Sequence, residues 1–120
     1  MAHILVVDDS NTMRQMVSFT LTSVKHTVAE AENGVQALEL AQRGKFDLVI
    51  ADVNMPEMNG IDLVKALRAL PAFKFTPILI LTTESQVEKK QKGKAAGATG
   101  WIVKPFNPEA LLNVLSKVLV

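Results

Sequence analysis

Three runs of four consecutive apolar residues constrain this chain most: Ile4-Leu5-Val6-Val7, Leu48-Val49-Ile50-Ala51 and Ile78-Leu79-Ile80-Leu81. None alternates with polar residues. A short strand that is apolar at every position is buried on both faces, as in a parallel sheet covered by helices. The shorter Trp101-Ile102-Val103 reads as a further strand. Thr27-Val28-Ala29-Glu30-Ala31 is more polar and suits a sheet edge.

Longer amphipathic stretches separate these runs. Met13, Met16, Val17, Leu21 and Val24 form one helical stripe, and Ile61, Val64, Leu67 and Leu70 another. Leu111, Leu112, Leu115, Val118 and Leu119 form a third. Asn107-Pro108-Glu109 has the cap, the first-turn proline and the acidic group of a helix start. Gly44 and Gly97 follow periodic stretches and are expected as left-handed helix ends. Asn33-Gly34 and Asn59-Gly60 read as loops opening helical patterns. The stretch from Gln86 to Ala96 has Gly93 inside it and little apolar surface, so a weak, mobile helix is expected. Five strand–helix units with right-handed crossovers give a doubly wound α/β sheet with helices on both faces.

The 120 residues fit one domain spanning residues 1–120. Surface scaling predicts roughly 6,400 Å² exposed, which leaves enough buried for a core. With 48% hydrophobic and 21% charged residues, the chain is not a disordered tail. The absence of cysteine excludes disulfides, thiolate metal sites and Cys nucleophiles. Thirteen basic against 12 acidic residues leave a net charge of +1, so no field draws the chain to nucleic acid or to a membrane surface. After Met1-Ala2-His3 only four consecutive apolar residues precede Asp8-Asp9, too short a run for a signal peptide or a span. A cytoplasmic monomer is expected.

In such sheets, ligands bind beyond the carboxyl ends of the strands. Asp8 and Asp9 follow the first strand, and Asp52 the third. Thr82 and Thr83 close the fourth, and Lys104-Pro105 the fifth. Three converging carboxylates repel one another by about 3 kcal/mol per pair at ~5 Å and an effective dielectric of about 20. Lys104 offsets part of that, and a hard cation such as Mg²⁺ would offset more. Taken singly, Asp8 reads more readily as a helix cap or turn former, Thr82 as a strand residue and Lys104 as a surface charge. Together they form a cradle for a phosphoryl group, with Asp52 able to attack phosphorus.

The motifs Val6-Val7-Asp8-Asp9-Ser10, Asp52-Val53-Asn54-Met55-Pro56-Glu57-Met58-Asn59-Gly60, Leu81-Thr82-Thr83-Glu84 and Val103-Lys104-Pro105-Phe106 resemble the receiver domain of two-component response regulators. The resemblance covers the whole chain. Asn11-Thr12-Met13-Arg14, Asn54-Met55-Pro56 and Thr82-Thr83-Glu84 bring it nearest to the single-domain chemotaxis regulators of that family. It implies a flavodoxin-like five-stranded sheet in the order 2-1-3-4-5. It implies that Asp52 accepts a phosphoryl group from a histidine kinase. Asp8, Asp9, Asp52 and the backbone carbonyl of Asn54 would hold Mg²⁺, with Thr82 and Lys104 contacting the phosphoryl oxygens. Lys104-Pro105 matches a peptide bond that is usually cis in this family. Trp101 occupies the aromatic switch position, where the family usually has Tyr or Phe. A flagellar motor switch protein or a phosphatase is the implied further partner, and the protein is a switch rather than a turnover enzyme.

Lys89, Lys90, Lys92 and Lys94 make a basic face that is either a docking surface for an acidic partner or simply solvated. His3 and His26 are unremarkable. Three rival functions fit less well. A phosphatase of the haloacid dehalogenase type needs an acid two residues after Asp52, where Asn54 stands. A nucleotide or flavin carrier needs a phosphate-cradling loop where Asp8-Asp9 stands. A receiver-like module that takes no phosphate would not need this complete set of groups.

Overall fold

The computed structural model describes residues 2–53, 58–83, 87–104 and 107–119. Five strands alternate with five helices: β1 (His3–Val7), α1 (Asn11–Ser23), β2 (Thr27–Ala31), α2 (Gly34–Arg43), β3 (Leu48–Asp52), α3 (Gly60–Arg68), β4 (Ile78–Thr83), α4 (Val87–Ala96), β5 (Gly100–Lys104) and α5 (Pro108–Val118). A single 3-10 turn at Pro71–Phe73, which the periodicity does not announce, links α3 to β4. All strand pairings are parallel, in the order β2-β1-β3-β4-β5.

The apolar runs behave as their pattern requires. Leu5, Val7, Val49, Ala51 and Ile80 face one core, shared with α2 and α3, while Ile4, Val6, Leu48, Ile50 and Leu81 face another, shared with α1 and α5. β2 lies at the edge and is only partly buried, as its polar residues predict. The accessible surface is 6540 Å², close to the scaling expectation.

Asn33-Gly34 and Asn59-Gly60 do open helices, and each Asn is the N-cap, its side chain accepting the backbone N–H three residues on. Several local expectations need correction. Ser10, not Asp8, caps α1 through the Met13 N–H. Gly44 ends α2 in extended backbone, whereas Gly97, at φ +115°, is the left-handed residue expected. Val24 lies past the end of α1 and is exposed, while Arg14 takes a buried place on that helix. Gly93 is a point of contact rather than a plain weakness. A Cβ there would lie 2.4 Å from Ile80 Cδ1, so its absence lets α4 sit close on β4.

No helix among the described residues is long and apolar enough to cross a membrane. Asn54, Met55, Pro56, Glu57, Glu84, Gln86, Pro105 and Phe106 lie outside the described residues, as do the side chains of Lys89 and Lys90.

Candidate functional site

Four strand ends build the site. Asp8 follows β1 and is pinned by its neighbours. Its N–H donates to Ala31 O at 3.1 Å, and its Oδ1 accepts the Ser10 N–H at 2.9 Å. That leaves Oδ2 aimed at Lys104 Nζ, 3.7 Å away, with no hydrogen bond among the described residues. Asp52 ends β3 and is 7% exposed. Its Oδ1 lies 3.1 Å from Lys104 Nζ. Lys104 is the last residue of β5, paired in register with Thr83, so the sheet carries its ammonium to the two carboxylates.

Asp9 is exposed, yet Asp8, Asp9 and Asp52 each bring an oxygen within 4.8 Å of the others. The crowding is legible in Asp8, whose carboxyl is pushed above its ordinary pKa. Burial is the main cause, opposed by the Ser10 hydrogen bond and Lys104, and reinforced by Asp52 and Asp9.

Thr82 is 1% exposed, and its Oγ1 also has no hydrogen-bond partner among the described residues. A buried hydroxyl without a partner costs on the order of 1–3 kcal/mol, and a ligand that accepts from it recovers this. Two buried oxygens at the strand ends, Asp8 Oδ2 and Thr82 Oγ1, thus lack a hydrogen bond among the described residues, and the clustered side chains beside Asp8 offer only carboxylate oxygen and one ammonium. Three carboxylates against one lysine fit a hard divalent cation, and the oxygen-only set suits Mg²⁺.

The structure thus gathers Asp8, Asp9, Asp52 and Lys104 at one rim, with Thr82 buried at the end of β4. Trp101 lies elsewhere, on edge strand β5 and 40% exposed. It pairs in register with Ile80, two residues before Thr82, so pleat alternation puts the three on the sheet face covered by α4. Lys92 and Lys94 are exposed on α4.

Two residues that fall within the resemblance motifs have a structural part that their sequence position does not reveal. Gly60 opens α3 directly against the site. A Cβ there would lie 2.3 Å from Asp52 O and 2.9 Å from its carbonyl carbon. Arg14, whose charge suggests a solvent-facing position, is buried and donates to the carbonyl of Asp8.

Comparison with known proteins finds relatives over nearly the whole chain. The family model described as response regulator receiver domain matches residues 4–116. A chemotaxis protein CheY homolog of Campylobacter jejuni is 44% identical over 118 residues, covering 97% of this chain and 91% of that one. Chemotaxis protein CheY1 of Helicobacter pylori strain J99 is 46% identical, covering 97% and 95%. The solved structure of chemotaxis protein CheY4 of Vibrio cholerae superposes with a TM-score of 0.95 at 58% identity, over 99% of both chains.

Proposed function

The chain belongs to the response regulator receiver family, and we propose that it is a cytoplasmic switch of chemotaxis, set by phosphorylation of Asp52. The observation that supports this reading is Lys104 Nζ lying 3.1 Å from Asp52 and 3.7 Å from Asp8 beside the three clustered carboxylates, with the buried Thr82 hydroxyl at the end of the adjoining strand. In the proposed reaction an Asp52 carboxylate oxygen attacks phosphorus of a kinase phosphohistidine. The phosphorus–nitrogen bond breaks, its electron pair stays on the imidazole, and an acyl phosphate forms on Asp52.

Lys104 exchanges its Asp52 ion pair for a phosphoryl oxygen. Thr82 donates its hydroxyl to a second one. Asp8 and Asp9, with Asp52 and the Asn54 carbonyl, would hold Mg²⁺, which supplies positive charge to the transferring group. The protein turns over no external substrate.

The charge added at one rim is about two negative units. If Thr82 shifts toward it, space opens on the face shared with Ile80 and Trp101. Moving a two-state equilibrium from 1:99 to 99:1 takes about 5.5 kcal/mol, within reach of charge-assisted bonds to Lys104 and Thr82. The readout is a changed surface on α4 and β5, where Lys92, Lys94 and Trp101 would meet an acidic partner, in this reading a flagellar motor switch protein. Lys89 and Lys90 belong to the same proposed surface, and a phosphatase is the proposed partner for the reverse step.

Beryllofluoride, a stable phosphoryl mimic, tests the switch. With Mg²⁺ it is expected to change Trp101 fluorescence in the wild type and much less in Thr82→Ala. Equal responses in both would contradict the route through Thr82.

A further inference from the structure

The guanidinium of Arg14 makes three hydrogen bonds at the edge of the acidic pocket. Nη1 donates to the backbone oxygen of Asp8 at 2.6 Å. Nε donates to Glu30 Oε1 on β2 at 2.9 Å, and Nη2 donates to Asn11 Oδ1 at the start of α1. The side chain is only 10% exposed, so its desolvation is offset mainly by these bonds.

The bond to Asp8 O acts on the peptide that joins Asp8 to Asp9. With Asp8 N–H held by Ala31 and Asp8 Oδ1 held by Ser10, this bond completes the anchoring of Asp8. It also fixes the peptide from which the Asp9 side chain departs, and so limits the region that carboxylate can reach. The charge of Arg14 is matched by Glu30 rather than by the pocket, so the guanidinium leaves the demand of Asp8, Asp9 and Asp52 for a cation in place.

We infer that Arg14 is a positioning residue of the cation pocket, holding the Asp8-Asp9 peptide in the geometry that favours Mg²⁺ over Ca²⁺. This rests on reading Asp8, Asp9 and Asp52 as a divalent-cation pocket. The physical basis is the difference between the two ions. Mg²⁺ demands near-ideal octahedral ligands at short distance, whereas Ca²⁺ accepts irregular ones. Loosening one peptide therefore costs Mg²⁺ more than Ca²⁺. A lysine keeps the charge at this place but has no planar fork to span three acceptors.

The test is calorimetric titration of the full chain with MgCl₂ and with CaCl₂, for the wild type, Arg14→Lys and Asn11→Ala, with thermal melts alongside. Arg14→Lys is expected to weaken Mg²⁺ about tenfold, the usual scale for a group that orients a metal ligand. Ca²⁺ should weaken by less than about threefold, so the preference for Mg²⁺ shrinks. Asn11→Ala, which removes one anchor of the fork, should shift the ratio the same way by a smaller factor. A purely structural role would lower the melting temperature and leave the Mg²⁺/Ca²⁺ ratio unchanged, and that result overturns the inference. If Arg14→Lys does not fold, the Asn11→Ala ratio decides alone. A wild type that binds neither ion overturns the pocket reading, and the positioning role with it. Wild-type Mg²⁺ binding with an unaltered ratio in the variants overturns the positioning role only.

Discussion

Burial pushes the Asp8 carboxyl above its ordinary pKa of 3.8, so ionising it costs the fold free energy. The sign follows from linkage. The unfolded chain gives up this proton first, so stability falls as pH rises from the unfolded pKa through the raised folded one. Above the raised folded pKa the whole cost is present. Asp8→Asn retains an oxygen for the Ser10 N–H and removes the charge. In EDTA at pH 7 it should melt roughly 2–5 °C higher than the wild type. That gain should vanish once the pH falls below the unfolded value of 3.8. A lower melting point for the variant at pH 7 in EDTA would contradict the account. Gly60 makes the opposite point. Its missing side chain is space taken up by the Asp52 backbone, which a far-end rotamer cannot vacate. Gly60→Ala is expected to cost about 1–3 kcal/mol through overpacking and to slow phosphoryl uptake by displacing Asp52. A melt together with a phosphorylation time course reads both effects, and an unchanged rate would argue that Asp52 is not positioned by α3.

At the scale of elements, the helices divide by how they are anchored. α3 buries Ile61, Leu63, Val64 and Leu67. It is also tied at its end by Arg68, whose guanidinium donates to Gly97 O, Phe73 O and Thr76 O. Burial lowers the pKa of that guanidinium, but the three carbonyls retain its charge. α4 has no comparable anchor in its described side chains. Gln91, Lys92, Lys94 and Ala95 are exposed, and Gly93 contacts Ile80 by lacking a side chain. Few buried side chains among those described mean a low free energy of local opening. Amide hydrogen exchange is therefore expected to run faster in α4 than in α3 or α5, by at least about tenfold. Equal protection across the three helices would remove α4 as the mobile element of the switch. Trp101, on the neighbouring strand, would then have to carry the readout without it.

For the molecule as a whole, the sheet and the rim were legible because both follow from pattern. Continuous apolar runs gave the buried parallel strands, and the polar residue after each run gave the site, since parallel strands bring those ends to one side. The strand order 2-1-3-4-5 was reached through family resemblance, because strand ends alone do not order a sheet. What stayed hidden depends on packing across distant parts of the chain. Nothing local marks Arg14 as buried, since its acceptors at Asp8 and Glu30 meet only when β1 and β2 pair. Gly60 shows its reason only once α3 abuts Asp52. Asn33-Gly34 and Asn59-Gly60 open helices as their position indicates, but Asn-Gly serves loops and helix caps alike, so the capping bond of each Asn shows only in the structure. The account's central claim, a Mg²⁺-dependent phosphoryl acceptor at Asp52, is tested most directly by intact-mass spectrometry after incubation with acetyl phosphate. The account predicts the mass of one added phosphoryl group in the wild type with Mg²⁺, and none in EDTA or in Asp52→Asn. An unmodified wild type, or an Asp52→Asn chain that still takes up the group, would contradict it.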